Sequence, residues 1–103
     1  MISKSNRYPI YEWCDWESPF KLKEWLEPRL PTSGSFIIVD HDCSEQPDVV
    51  LYRWDGDTLR QHISYGDYWD TTTTVAITEG LIMGSLTKVR VSVIPLQEPR
   101  DQE

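Results

Sequence analysis

Apolar and polar residues alternate with two different periods along this chain. Over Ser18–Glu27 the period is helical. Leu22, Trp25 and Leu26 fall at i, i+3 and i+4, while Lys21, Lys23, Glu24 and Glu27 occupy the other face. Ser18 suits the N-cap, because its hydroxyl accepts from a free N–H of the first turn. Pro19 suits the first helical position, where no N–H is needed. Pro28 and Pro31 stop the helix.

Beyond that helix the period shortens to two. Phe36–Val39 is an unbroken apolar run of central-strand type. Val49–Trp54 and Asp57–Ser64 flank Asp55-Gly56, a pair that favours a two-residue hairpin turn. That turn places Tyr52 opposite Leu59 and Val50 opposite Gln61, with Val50, Tyr52 and Trp54 on one face. Tyr65–Asp70 reads as an aromatic and acidic loop. Thr72–Thr78 sets Thr73, Val75 and Ile77 against threonines and Ala76, the pattern of a half-buried strand, and Glu79-Gly80 turns the chain. Leu81–Leu86 fits neither period, since Gly84 weakens both. Lys88–Ile94 alternates Val89, Val91 and Val93 with Lys88, Arg90 and Ser92, and Pro95 ends it. The N-terminal run Tyr8–Glu17 holds Tyr11, Trp13 and Trp16, rings suited either to capping a core or to anchoring a partner. The expected class is α+β: a mostly antiparallel sheet of about five strands, with one N-terminal helix packed on one face.

At 103 residues the chain is expected to be a single domain, 1–103. The polar ends, 1–7 and 97–103, are expected to fray. Apolar content is low at 39%, but five Trp and five Tyr supply much area per residue. No run approaches a membrane span, and Met1–Tyr8 lacks the apolar core of a signal peptide. The expected location is therefore the cytoplasm of a host cell, where Cys14 and Cys43 stay reduced.

Charge is distributed unevenly. Residues 40–70 hold Asp40, Asp42, Glu45, Asp48, Asp55, Asp57, Asp67 and Asp70 against only Arg53 and Arg60. They account for six of the chain's seven net negative charges. Direct nucleic-acid binding and docking on an anionic membrane both call for the opposite sign. Large rings lie among these acids. The partner-binding candidates are thus Asp40, Asp42, Asp55, Asp57, Asp67 and Asp70, with Trp54, Tyr65, Tyr68 and Trp69 as packing anchors. Acids at i and i+2 of a strand stand about 7 Å apart on one side. The pairs Asp40/Asp42 and Asp55/Asp57 would thereby imitate a row of phosphates, if all converge on one side of the molecule. Plain solubility is the alternative meaning of the same charge.

Catalytic signatures are missing. Cys14, His41, Cys43 and His62 number the four ligands of a zinc site, but no C-x-x-C or H-x-x-x-H spacing links them. His41 and Cys43 share a strand face, yet the flanking acids would raise a thiol pKa. Neither G-x-S-x-G nor a phosphate loop occurs. The expectation is a protein without enzymatic activity, metal or cofactor.

Trp25, Arg29-Leu30-Pro31, Gly34, Phe36–Val39, Trp54-Asp55-Gly56 and Pro95-Leu96-Gln97-Glu98-Pro99 form a pattern. Over residues 25–99 it resembles a small prophage-associated family of unknown function. Members run from a tryptophan through R-L-P, a strand and a turn to a closing P-L-P-E-P. Here Val93-Ile94 replaces the usual aromatic before that close, and Tyr8–Phe20 has no counterpart. The resemblance implies a phage or mobile-element context and transfers no site residue. With the acidic field it predicts an accessory protein that binds and inhibits a basic, nucleic-acid-handling host defence protein, of anti-CRISPR or anti-restriction type. Two rivals stand beside it: an immunity or antitoxin protein that neutralises a basic nuclease toxin, and a small metal or thiol enzyme. Strand Lys88–Ile94, if left at an edge, would also allow a homodimer.

Overall fold

The computed structural model describes residues 8–14, 18–41, 47–84 and 88–96. Strands β1 (Tyr11–Trp13), β2 (Ser35–Asp40), β3 (Asp48–Asp55), β4 (Thr58–Ile63), β5 (Tyr68–Thr72) and β6 (Val89–Leu96) form one sheet. Helices α1 (Pro19–Leu26) and α2 (Thr74–Gly84) complete the fold. The strand order is β1-β6-β2-β3-β4-β5, and every neighbouring pair is antiparallel. β2 to β5 run as a meander. The chain then passes through α2, and β6 enters between β1 and β2.

The class is α+β, with six strands rather than five and two helices rather than one. Several local readings change. Tyr11–Trp13 is extended and pairs with β6, which therefore has a neighbour on each side. Tyr68–Thr72 is an edge strand, not a loop, paired with β4 from Ile63–Tyr68 to Leu59–Thr72. Thr72–Thr78 is not a strand. Only Thr72 belongs to β5, and α2 begins at Thr74 and continues through Glu79-Gly80 to Gly84. Thr73 explains the change, because its hydroxyl accepts from the Ala76 N–H at 3.1 Å and so caps the helix. Ile77 and Leu81 then lie at i and i+4 and enter the core together.

α1 forms as its sequence dictates. The Ser18 hydroxyl accepts from the Lys21 N–H at 3.2 Å, and Pro19 occupies the first turn. Leu22 and Leu26 are fully buried. They pack with Ile77 and Leu81 of α2 against Phe36, Ile38, Tyr52, Leu59, Val89, Val91 and Val93, so both helices lie on one side of the sheet. The register agrees. Phe36 faces Tyr52 and Ile38 faces Val93, whereas their neighbours Ile37 and Val39 point to the other side. Thr78 ties the helices together by donating to the Pro19 carbonyl at 3.1 Å.

The R-L-P segment has a structural use. Arg29 lies 4.5 Å from the Trp25 ring centroid and 5.2 Å from that of Tyr11, a cation–π stack at the sheet edge. Leu30 is buried. The Pro31 carbonyl accepts from Trp54 Nε1 at 2.7 Å. Trp13 packs against the core. Trp16, the 1–7 and 97–103 ends and the last three residues of the proline-rich close lie outside the described residues.

The β3–β4 hairpin turns one residue later than Asp55-Gly56 suggests. Asp55 pairs with Thr58, so Gly56-Asp57 is the loop, and Tyr52 faces Gln61 rather than Leu59. Gly56 is the first central residue, with φ 65°, and Asp57 has no positive φ. That is the arrangement of a turn with glycine at its first central position. Asp55 stays in the strand, where its carboxylate accepts from Arg60 Nε at 3.1 Å.

Candidate functional site

The β3–β4 ladder is short. It starts at Asp55–Thr58 and ends at Tyr52–Gln61. Beyond that pair, Asp48–Leu51 are in register with β2 alone, and His62 and Ile63 with β5 alone. The two strands part there and leave a cleft. The Trp54 N–H donates to the Gly34 carbonyl on the β2 side. By the alternation of an antiparallel strand, the amides of Val49 and Leu51 point the other way, into the gap.

Cavities open into this cleft from both sides of the sheet. On the side without helices, about 320 Å³ lies between Asp48–Leu51 and Gln61–Tyr65. On the helix side, about 200 Å³ lies under α2, lined by Asp40, Asp48, Tyr52 and Gln61. Asp48, Val50 and Gln61 border both. The helix contributes Ala76, Gly80 and Gly84 to the second cavity, so small residues keep it open.

The four-residue loop Ser64–Asp67 stands at the same end. Gly66 and Asp67 donate their N–H groups to the carbonyls of Ile63 and Ser64, at 3.3 Å each. Asp67 has φ 53°, a left-handed conformation that Asp tolerates better than most residues. Its carboxylate meets His62 Nε2 at 3.0 Å. Tyr65 is 90% exposed and Tyr68 46%. Hydrogen bonding and then charge interaction with Tyr65, with smaller contributions from desolvation and Asp70, hold the Tyr68 phenol above its usual range. Two rings thus stand in water beside Asp67, with Asp70 further along β5.

The candidate acids do not share one side. Asp40 is 5% exposed, buried on the helix side opposite Asp48, and presents no carboxylate to a large partner. Asp55 and Asp57 lie at the far end of the β3–β4 hairpin. At the rise of a strand, Asp48 and Asp55 are about 23 Å apart. Asp67 belongs to the cleft end, and Asp70 shares the helix-side face with Gln61. Arg53 and Arg60 face each other between the two ends. A continuous phosphate-like row is therefore not what these side chains build. Asp42 lies outside the described residues.

The candidate rings separate as well. Trp54 is half-buried at the Asp55 end and bonded to Pro31. Trp69 lies on the side without helices, 4.2 Å from the Arg53 guanidinium and 5.1 Å from the His62 ring. Tyr65, Asp67, Tyr68, Trp69 and Asp70 remain together, joined by Asp48, a site residue the sequence reading did not single out. Tyr52, Gln61, Gly80 and Gly84 were missed too. Their only advance signal is the four-residue spacing of the two glycines, which means little until α2 is known to be a helix.

The four metal-ligand candidates do not assemble among the described residues. Cys14 is an exposed free thiol after β1. His41 Nε2 bonds the Ser92 hydroxyl at 2.9 Å, and His62 bonds Asp67. Cys43 lies outside the described residues. Within the described part no helix is long and apolar enough to cross a membrane. The β6 strand proposed as an open edge is interior. Comparison with family models, with curated proteins and with solved structures finds no match to this chain.

Proposed function

We propose that this chain works by binding rather than by turnover. It is an accessory protein of a phage or mobile element that occupies a basic surface of a host nucleic-acid-handling protein. The observation that carries this reading is the β4–β5 tip: an exposed Tyr65 and a half-exposed Tyr68 flanked by Asp67 and Asp70. Exposed tyrosines bring large, stiff contact area at low entropic cost, the usual make-up of an interface anchor. Adjacent carboxylates select a basic partner and speed its encounter. The contact is thus a compact acidic tip, not an extended imitation of a nucleic-acid strand.

The test is capture of the partner from the natural host, followed by titration at rising salt. The reading expects a basic, nucleic-acid-handling protein whose affinity weakens as salt rises. Retention of a toxin encoded beside this gene would instead indicate an immunity protein. An affinity indifferent to salt would remove the electrostatic part of the proposal.

A further inference from the structure

The cavity beneath α2 has features that the tip does not explain. Asp40, which is buried, and Asp48, which is exposed, face each other across β2 and β3, and both line it. Tyr52 borders the same space and is only 5% exposed. Its ring stacks on Phe36 at 5.4 Å. Its hydroxyl has no hydrogen-bond partner among the described residues. Burial, and then the Asp48 carboxylate, push this phenol far up, so it remains O–H at any physiological pH. A buried hydroxyl without a partner is uncommon and calls for an explanation. Gln61 adds an amide that both donates and accepts.

The walls complete the picture. Val50, Ile77 and Leu81 are apolar, and among the described residues no Lys, Arg or His lines the space. Gly80 leaves the helix side open, since a Cβ built there meets nothing within 4 Å. The cavity therefore pairs an acceptor-rich end with an apolar wall.

From this geometry we infer that the cavity is a binding site for a primary alkylammonium group, its N–H donors directed at the Asp48 carboxylate, the Tyr52 hydroxyl oxygen and the Gln61 amide oxygen, its methylene stem on Val50, Ile77 and Leu81. A compact ammonium suits these acceptors. A divalent cation would want about six oxygens in a tight shell, and no group of three or more metal-ligating side chains occurs among the described residues. The ammonium could belong to a lysine of the bound partner or to a free amine. The inference does not depend on the tip: Asp48 stands beside both, but Tyr65, Asp67, Tyr68 and Asp70 do not line this cavity.

The test is an amide NMR titration of the full chain with n-butylammonium chloride, with n-butanol as the neutral counterpart. Saturable shifts at Gly80, Gly84 and Gln61 are expected with the amine, and binding about tenfold weaker or worse with the alcohol. Asp48→Asn should weaken the amine about tenfold. Tyr52→Phe should weaken it less. Gly80→Leu, which fills the space and favours the helix, should abolish it while leaving the fold intact. A blocked lysine and its Nε-acetyl form separate the sources. Lysine binding more tightly than butylammonium, and lost on acetylation, identifies a partner side chain; butylammonium binding alone identifies a free amine. Equal affinity for butanol, unchanged binding in Gly80→Leu, or no binding of either amine overturns the inference. Tyr65→Ala should leave it untouched, which separates its failure from failure of the tip.

Discussion

The Tyr68 ring lies directly on Gly66. A Cβ built on that glycine would come within 2.6 Å of the ring. Gly66 does not have a positive φ, so its backbone is open to other residues. What requires glycine here is the ring, not the turn. Gly66→Ala should therefore keep the fold, at a cost of about 1 kcal/mol, while pushing Tyr68 off the loop. Heteronuclear NMR should show Tyr68 displaced with the β4–β5 ladder retained, and partner affinity should fall. An unmoved Tyr68 would remove the role given to this contact.

Thr73 decides the state of the segment after β5. Thr73→Ala should cost about 1 kcal/mol through loss of the cap to Ala76. For a domain of this size that lowers Tm by about 4–8 °C. Thr73→Ser or Thr73→Asp should restore most of it. Matched melting curves check this. Equal stability of Thr73→Ala and wild type would contradict the capped helix.

That segment also shows why part of the fold escaped the sequence. Thr71–Thr74 has strong strand character, and the 73, 75, 77 alternation is what a half-buried strand displays. The helix wins because Ile77 and Leu81 both reach the core and Thr73 satisfies the first turn. Neither fact is visible until the sheet exists. β5 was hidden because as an edge strand it buries little, so its pattern is weak. By contrast α1 and the body of β6 were legible, since Ser18-Pro19 and the three valines each act within one element, although β6 continues through Pro95 to Leu96 instead of stopping there. The cleft was not legible, because it depends on where β3 and β4 stop pairing. The acids illustrate the same limit. Asp48 and Asp55 are close in the sequence, but β3 runs extended between them and carries them to opposite ends of the sheet.

Trp54 ties β3 to the segment that follows α1. Trp54→Phe keeps the ring in place but removes the donor to the Pro31 carbonyl. The expected loss is about 1 kcal/mol, read by chemical denaturation with an unchanged m-value. A changed m-value would mean that Trp54 does more than hold this bond.

Glu27 should contribute to stability on the acid side. Its carboxyl is held below its ordinary range by the bond from the Thr74 hydroxyl at 2.8 Å, then by Lys23 at 3.1 Å. A lowered native pKa favours the native state above the unfolded value of 4.5. The contribution is lost as pH falls through the native pKa. Glu27→Gln should flatten the stability curve below that value and, because the site is exposed, change it only slightly at pH 7. Thermal melts from pH 7 to pH 3 check this. An unaltered acid limb would show that the Thr74 bond is not maintained in solution.

The central claim is that one end of the sheet carries the partner contact. The most direct measurement compares partner retention by two variants of equal charge change. Tyr65→Ala with Asp67→Asn and Asp70→Asn alters the β4–β5 tip; Trp54→Phe with Asp55→Asn and Asp57→Asn alters the opposite end. We expect the first to lose at least about tenfold in affinity and the second to bind like wild type. Equal losses in both, or loss confined to the second, would contradict the account.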